Sequence, residues 1–173
     1  MARSDRADMS SVVGIDPGAT GALVWLDAKD LKVRGVWDCP QDDVEWRELM
    51  ECLNWDTPPW LAVVERQQYM PKGGRMQGGK SAFSLGVNYG IWQGVLKGLA
   101  VETITVPPTA WQRYVYGSGT AGGPKERALR RAKELFPDMP LVPDGCRVER
   151  HGRADAALIA LYGVGVLKKR GLI

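Results

Sequence analysis

Three acidic residues interrupt otherwise apolar stretches of the sequence, and their side chains are of a type that does chemistry. Asp16 ends the run "VVGID", Glu65 ends "WLAVVE", and Asp155 opens the apolar part of "HGRADAALIALYGVGVL". Burying an unpaired carboxylate costs several kcal/mol or raises its pKa, so each of these side chains needs a partner. Grouped carboxylates repel one another unless cations hold them, and oxygen ligands suit Mg²⁺ or Mn²⁺. Two such ions can activate a water and stabilise the leaving oxygen of a phosphodiester.

Simpler explanations exist for two of these acids. Asp16 directly precedes Pro17 and Gly18, so its side chain could do no more than cap a tight turn. Asp155 falls in the first turn of a predicted helix, where the helix dipole favours an acidic side chain. The sequence leaves both alternatives open for each residue.

His151 is the only histidine in the sequence and lies four residues before Asp155. If the predicted helix includes it, this spacing places both side chains on one face. His151 could be an ordinary surface residue, a metal ligand or a proton-transfer group. Beside carboxylates its pKa is expected to rise above the ordinary value of about 6.5, whereas a bound metal favours the neutral form.

The order of predicted elements shows how these side chains could be brought together. Two strand-like runs open the chain in "VVGIDPGATGALVWLD", and a third follows in "LKVRGVWDCP". The spacing in "DDVEWRELMECLNW" predicts a helix capped by Asp42 or Asp43. Strands are predicted in "WLAVVERQ" and "VETITV", on either side of a long helix from about Ser81 to Leu99. This order predicts an α/β fold with a five-stranded mixed sheet, three antiparallel strands and then two parallel ones, flanked by helices.

The last part of the chain is predicted to be helical. After the turn Pro107-Pro108, a glycine-rich loop leads to a helix whose first turn contains Pro124. The final helix carries an apolar stripe that is expected to face inward, with Asp155 at its start. The stripe consists of Asp155, Ile159, Tyr162 and Val166.

Length and composition are typical of one globular domain. We expect a disordered polar tail over residues 1–11 and a single domain over residues 12–173. No apolar run is long enough for a membrane span, and the first residues lack the apolar core of a signal peptide. The three cysteines are odd in number and show no CxxC pairing, which is typical of reduced thiols in the cytoplasm.

The net charge is only +3, but acidic and basic residues are segregated along the chain. Residues 38–56 carry seven acids against Arg47 alone, whereas residues 66–80 carry four bases and no acid. Residues 125–136 add five bases against two acids. A basic loop and a basic helix favour binding to a phosphate backbone, although solvated surface charges give the same pattern. The candidate phosphate-contacting residues on these segments are Lys72, Arg75, Lys80, Lys125 and Arg130.

Three glycines, Gly86, Gly90 and Gly94, recur every four residues in the long predicted helix. Each costs about 1 kcal/mol relative to alanine in a helix, so the spacing needs a compensating reason. The smooth face could pack closely on the sheet, or it could meet the same helix of a second subunit.

Four stretches of the sequence together resemble the RuvC-like Holliday junction resolvases, most closely their bacteriophage-type members. In chain order they are "GIDPGATGALVWLD", "AVVERQQYM", "AFSLGVNYGIWQGVL" and "HGRADAALIALYG". The resemblance extends from Val12 to about Gly163 and implies a single RNase H-like nuclease domain. It also implies a homodimer that nicks two strands of a four-way DNA junction in recombination and repair, with neither a membrane nor a nucleotide cofactor. A phage-encoded protein of this kind would act in the cytoplasm of the host cell.

For the active site, the resemblance implies Mg²⁺ or Mn²⁺, two ions per site. The carboxylate ligands correspond to Asp16, Glu65 and Asp155. Many bacterial members carry a fourth acid where this chain has Gly152, and His151 is the candidate substitute. Asp16, Glu65, His151 and Asp155 are therefore the predicted catalytic and metal-binding residues.

For the DNA interface, the resemblance implies an aromatic residue that enters the centre of the junction, and Tyr69 is the candidate. Lys125 corresponds to a lysine near the scissile phosphate. A surface tyrosine and a solvated lysine at a helix start are the simpler alternatives.

Other functions are compatible with parts of the sequence. The stretch "IDPGATGA" also resembles the phosphate loop of actin-like ATPases and sugar kinases, which normally need two such domains, and the sequence has no second glycine-rich phosphate motif. A catalytically inactive DNA-binding scaffold would not need clustered carboxylates, because these cost stability. Within the nuclease class, the alternative is a broader enzyme that also cuts flaps and Y-forks.

Overall fold

A computed structural model describes residues 8–53, 58–67, 79–117 and 122–173. Its strands form one five-stranded sheet in the order β3-β2-β1-β4-β5. The β1–β2 and β2–β3 pairs are antiparallel, and the β1–β4 and β4–β5 pairs are parallel. The predicted mixed sheet is therefore confirmed. The strands are β1 (Asp8–Asp16), β2 (Ala22–Asp27), β3 (Val33–Asp38), β4 (Pro59–Glu65) and β5 (Glu102–Val106).

The first strand starts earlier than the sequence predicts. Residues 8–11 were expected in a polar tail but belong to β1. Ser11 is fully buried, and its hydroxyl accepts a hydrogen bond from the Trp25 indole of the neighbouring strand. The Ser10 carbonyl accepts one from the Ala28 amide. These partners allow polar serines to enter the sheet, while residues 1–7 lie outside the described part of the chain.

Five helices are described, four of them at predicted positions. The Asp42 carboxylate caps the first helix by accepting from the Val44 and Glu45 amides, and Pro124 is in the first turn of the fourth, both as predicted. The third helix was not predicted, since Pro107-Pro108 was interpreted only as a turn. The helices are α1 (Asp43–Cys52), α2 (Gly79–Gly98), α3 (Pro108–Tyr116), α4 (Pro124–Leu135) and α5 (His151–Lys169). Within the described ranges, none is long and apolar enough to cross a membrane.

The sheet has an apolar core on each face. On one face, β1 and β4 side chains such as Val13 and Val64 pack with Leu49 of α1 and with Trp92 and Leu96 of α2. The other face is covered by α3, α4 and α5, whose buried side chains form one continuous cluster with those of the strands. Successive side chains of the central strands therefore point alternately into the two cores.

Helix α5 packs directly on the backbone of β1. A Cβ atom built on Gly14 would lie 2.2 Å from the Ala156 carbonyl oxygen and 2.2 Å from the Ala160 amide nitrogen. The two backbones thus touch without a side chain between them, which only glycine allows. The face of α5 that approaches β1 contains Ala156 and Ala160, so the predicted inward stripe is wrong in detail: Tyr162, in that stripe, is only half-buried.

Candidate active site

Asp16 and Glu65 lie at the same edge of the sheet. They are the last residues of β1 and β4, which are parallel neighbours with Ile15 paired to Val64. Because the carboxyl ends of adjacent parallel strands meet at one edge, the two side chains follow paired positions. The topology therefore brings together two acids that are 49 residues apart in the sequence (65 − 16).

Asp16 also has the structural role that the sequence left open. Its Oδ1 accepts a hydrogen bond from the Gly18 amide at 3.0 Å, which is the geometry of an Asx-turn. No other hydrogen bond to this carboxylate is found among the described residues. Asp16 is thus a turn cap through one oxygen, and its second oxygen remains available for other chemistry.

The first turn of α5 is fixed against the loop that follows Asp16. A Cβ on Gly152 would lie 2.1 Å from the Thr20 carbonyl oxygen. The buried Arg153 side chain bonds both carboxylate oxygens of Asp38, at 2.7 and 3.1 Å, and the Pro140 carbonyl at 2.9 Å. This contact and these bonds hold the start of α5, with His151 and Asp155, at the carboxyl end of β1.

The three predicted carboxylates act on one another electrostatically. Burial raises the pKa of Asp16 above its ordinary value, and the Gly18 amide and His151 oppose this. Burial and the Asp16 charge raise the pKa of Glu65 to about 7. Burial, Asp16 and Glu65 raise the pKa of Asp155 to about 8, and Lys125 lowers it. The three carboxylates therefore lie within electrostatic reach of one another.

His151 differs from the sequence-based expectation in its protonation. Its pKa is lowered, not raised, because burial and the charges of Lys125 and Arg150 outweigh the opposing effect of Asp16. Its Nδ1 atom is buried without a hydrogen-bond partner in the described part of the chain. A neutral imidazole with an unsatisfied nitrogen has the chemistry of a metal ligand or a proton acceptor.

The carboxylate oxygens of Asp16, Glu65 and Asp155 are chemically suitable ligands for a hard divalent cation. Mg²⁺ prefers oxygen ligands and is commonly bound by one or two carboxylates together with water and substrate phosphates. Over the described ranges, no group of three or more His, Cys, Asp or Glu side chains is arranged to hold a metal ion. The three carboxylates thus supply suitable oxygen ligands for a cation. Among the described residues, however, fewer than three such side chains converge on any one point.

Two groups near this edge were not found from the sequence. The indole nitrogen of Trp111, in α3, donates to Glu65 Oε2 at 2.7 Å. Tyr116, at the end of α3, interacts with the Asp155 charge, which together with burial raises its pKa to about 12. The Arg127 guanidinium lies 4.3 Å from the centroid of the Tyr116 ring. The spacing of Trp111 and Val115, both buried, was the available signal for α3.

Only some of the predicted DNA-contacting residues can be placed. Tyr69, Lys72 and Arg75 lie outside the described residues, as does the side chain of Lys80, which belongs to α2. Lys125 is exposed at the start of α4 and acts electrostatically on both His151 and Asp155.

Farther along α4, Arg130 is exposed in a shallow groove that also contains the acids Glu126 and Glu134. Arg131 is paired with Glu134 at 3.0 Å, and Lys133 with Glu149 at 2.7 Å. The outer face of α4 is therefore less basic than its sequence suggests, and Lys125, at the start of the helix, has an electrostatic link to Asp155.

A third basic segment, missed in the sequence, directly precedes α5. Residues 146–151 and Thr20 line an open recess of about 440 Å³. Arg147 and Arg150 are exposed here, whereas the acid between them, Glu149, is paired with Lys133. The recess therefore has a positively charged rim next to His151.

The glycine stripe of α2 does not pack on the sheet. A Cβ atom added to Gly86, Gly90 or Gly94 would meet nothing within 4 Å in the described structure. Exposed apolar side chains flank these glycines, with Phe83 75% and Val87 42% accessible. Close packing within the monomer, one of the two explanations of the stripe, is thus wrong for the described residues.

Comparison with known proteins finds a sequence relative. No protein-family model matches the chain. The chain is similar to Holliday junction resolvase MOC1, chloroplastic, from Chlamydomonas reinhardtii, with 32% identity over 110 residues. The matched region is 63% of this chain but 12% of the relative, so the chain spans a small part of that protein's length.

Solved structures match over nearly the whole chain. T. thermophilus RuvC in complex with Holliday junction substrate has a TM-score of 0.59 at 19% identity, covering 94% of this chain and 96% of that chain. The yeast mitochondrial Holliday junction resolvase Ydc2 has a TM-score of 0.61 at 16% identity, covering 96% of this chain and 81% of that chain. The chain has a RuvC-like fold.

The glycine at position 152 has a structural reason. The Thr20 carbonyl occupies the place of a side chain at that position, at 2.1 Å from an added Cβ. A fourth acid there would displace the loop that follows Asp16. His151, one residue earlier, remains the candidate for that role.

Proposed function

We propose that this protein is a structure-selective endonuclease that nicks four-way DNA junctions by metal-dependent phosphodiester hydrolysis. The observation that carries the proposal is the electrostatic coupling of Asp16, Glu65 and Asp155 at one edge of a RuvC-like sheet. The similarity to a protein named as a Holliday junction resolvase supports the choice of substrate. One matching structure is itself a complex with a Holliday junction substrate.

In this proposal the residues at the sheet edge have separate roles. The carboxylates of Asp16, Glu65 and Asp155 hold Mg²⁺ or Mn²⁺, two ions per site. When bound, such ions lower the pKa of the attacking water and neutralise charge on the phosphate. His151, with its lowered pKa, completes the ligand set or accepts the proton of the water. Lys125 attracts the scissile phosphate, since its charge already acts on this site.

DNA binding outside the cleavage point is assigned to the basic segments. The predicted contacts are Tyr69 at the junction centre and Lys72, Arg75, Lys80 and Arg130 on the backbone. The rim residues Arg147 and Arg150, exposed beside His151, join this set. Phosphate contacts of this kind supply affinity without sequence information.

The active assembly is proposed to be a homodimer that contacts through α2. Two symmetric nicks require two sites related by a two-fold axis. The exposed stripe of glycines and apolar side chains on α2 supports this choice, because small residues let two helices approach closely. The bacteriophage-type membership and the cytoplasmic location stay predictions.

A cleavage assay on one purified sample tests the function. Labelled four-way junction, Y-fork, flap and linear duplex are incubated with Mg²⁺, Mn²⁺ or EDTA, and ATP hydrolysis is measured in parallel. We expect paired nicks in opposite strands of the junction with either metal and none in EDTA. Equal cutting of forks and flaps would favour the broader branched-DNA nuclease, and ATP hydrolysis would favour the phosphotransfer alternative.

Binding without any cutting would leave only the DNA-binding scaffold. The matched control is the Asp16→Asn variant in the same reactions, which excludes a contaminating nuclease. Nicking that persists in this variant would contradict the assignment of the site.

A further inference from the structure

The side chain of Glu65 has one described hydrogen-bond partner, and that partner is buried. Trp111 is 1% exposed, and its indole nitrogen donates to Glu65 Oε2 at 2.7 Å. The distance is at the short end of the range for an N–H donor and an oxygen acceptor. One carboxylate oxygen of Glu65 is thus fixed, and Oε1 has no hydrogen bond in the described structure.

The position of Trp111 is itself fixed by packing. Its ring belongs to the core cluster on the α5 face of the sheet, with Val106, Val115 and Ala128. The Tyr116 ring lies against it, at a centroid distance of 6.2 Å and an angle of 53°. A donor held this rigidly can orient a carboxylate at little entropic cost.

A purely structural role does not explain why the indole faces this acid. A buried indole N–H needs an acceptor, but a backbone carbonyl would serve equally well. The acceptor is instead the side-chain carboxylate of Glu65, the last residue of β4 at the edge of the sheet. The contact therefore fixes this carboxylate in one orientation.

We propose that Trp111 is a positioning residue for the cleavage reaction, whose indole N–H orients the Glu65 carboxylate to bind a divalent cation. This inference rests on the proposed function, because it takes Glu65 as a metal ligand. Trp111 contacts neither the cation nor the DNA and acts only through Glu65. Helix α3, absent from the sequence-based prediction, is then part of the active site.

The test is Trp111→Phe, which keeps an aromatic ring and removes the donor. Mn²⁺ binding is measured without DNA by electron paramagnetic resonance titration, and nicking is measured as a function of Mg²⁺. Outer partners of metal ligands are worth about 10–100-fold in metal affinity or activity. We expect the half-saturating concentration of both metals to rise about tenfold, with a smaller change in the rate at saturating metal and unchanged junction affinity in EDTA.

Trp25→Phe is the matched control. It removes the hydrogen bond that the buried Trp25 indole donates to Ser11 Oγ. This bond lies in the same sheet but away from the three carboxylates. This control should lower the melting temperature without changing the half-saturating Mn²⁺ concentration. Equal losses of Mn²⁺ affinity in both variants would mean that Trp111 acts through general stability, and would overturn the inference.

A second substitution covers the case in which Trp111→Phe does not fold. Replacing Trp111 with β-(3-benzothienyl)alanine exchanges the indole N–H for sulfur and preserves the ring shape. Wild-type Mn²⁺ affinity in this variant would overturn the inference while leaving the proposed function intact. A wild-type protein that binds Mn²⁺ but does not nick DNA would overturn the proposed function, and the two failures are thereby distinguished.

Discussion

At the scale of single residues, Asp16 shows how one side chain can have two roles. Its Oδ1 closes the turn to Gly18, and its charge raises the pKa of both Glu65 and Asp155. A substitution that keeps the turn but removes the charge separates these roles. Asparagine does so, because its amide oxygen can still accept the Gly18 N–H.

We expect Asp16→Asn to lower the nicking rate by more than about 100-fold, since even outer partners of metal ligands contribute about 10–100-fold. Junction affinity in EDTA should be unchanged or slightly higher, because one negative charge near the phosphates is lost. Nicking rates and filter-binding affinities measure the two effects. A variant that cuts at the normal rate and only melts earlier would show that Asp16 is a turn cap alone.

The raised pKa of Asp155 predicts a pH-dependent stability. In EDTA, the folded protein binds a proton at Asp155 up to about pH 8, whereas the unfolded chain releases it near the ordinary value of about 3.9. Stability should therefore fall as pH rises through this interval. Asp155→Asn should melt higher than the wild type at pH 8 and show a smaller difference at pH 5. Calorimetric scans at several pH values measure this, and a difference independent of pH would contradict it.

Among the elements, helix α3 shows what the sequence could not predict, whereas the strands that carry the acids were predicted. The three acids were predicted because each is the one acid in an apolar element, and the strand order places two of them at the same edge of the sheet. Helix α3 was missed because Pro107-Pro108 indicates a turn equally well and the helix is short. The predicted direction of the His151 pKa shift was wrong because burial, and then the charge of Lys125 on another helix, lower that pKa, and such tertiary effects leave no trace in local spacing.

The exposed stripe of α2 predicts a substitution that separates subunits. In Val87→Glu, two like charges would face each other across the proposed two-fold axis, so we expect a monomer at micromolar concentration. Val44→Glu on α1, where the side chain is 52% exposed, is the matched control and should stay dimeric. Light scattering after size exclusion measures both. A wild-type monomer, with and without junction DNA, would contradict the proposed interface.

At the scale of the whole molecule, the two cores share one sheet, but the helices on its faces are held very differently. Helix α5 meets the backbone of β1 directly at Gly14 and is locked at its start by Arg153 and Asp38. Helix α2 leaves one face uncovered in the described structure, and its glycines have open space beside them. The acids of the candidate site are carried by β1, β4 and α5.

The direct contact of α5 with β1 has a consequence for amide hydrogen exchange. Two backbones without a side chain between them can separate only by opening together, so their amides should exchange through global unfolding. In hydrogen–deuterium exchange measured by mass spectrometry, peptides over residues 10–16 and 156–164 should take up deuterium most slowly. Peptides of α2 should take it up early. Gly14→Ala should destabilise the fold by about 1–3 kcal/mol and accelerate exchange in both peptides; exchange confined to one of them would contradict joint opening. If these peptides open last, the candidate site lies on the slowest-opening part of the molecule, and adaptation to the proposed branched substrate must come from the DNA and the outer helices.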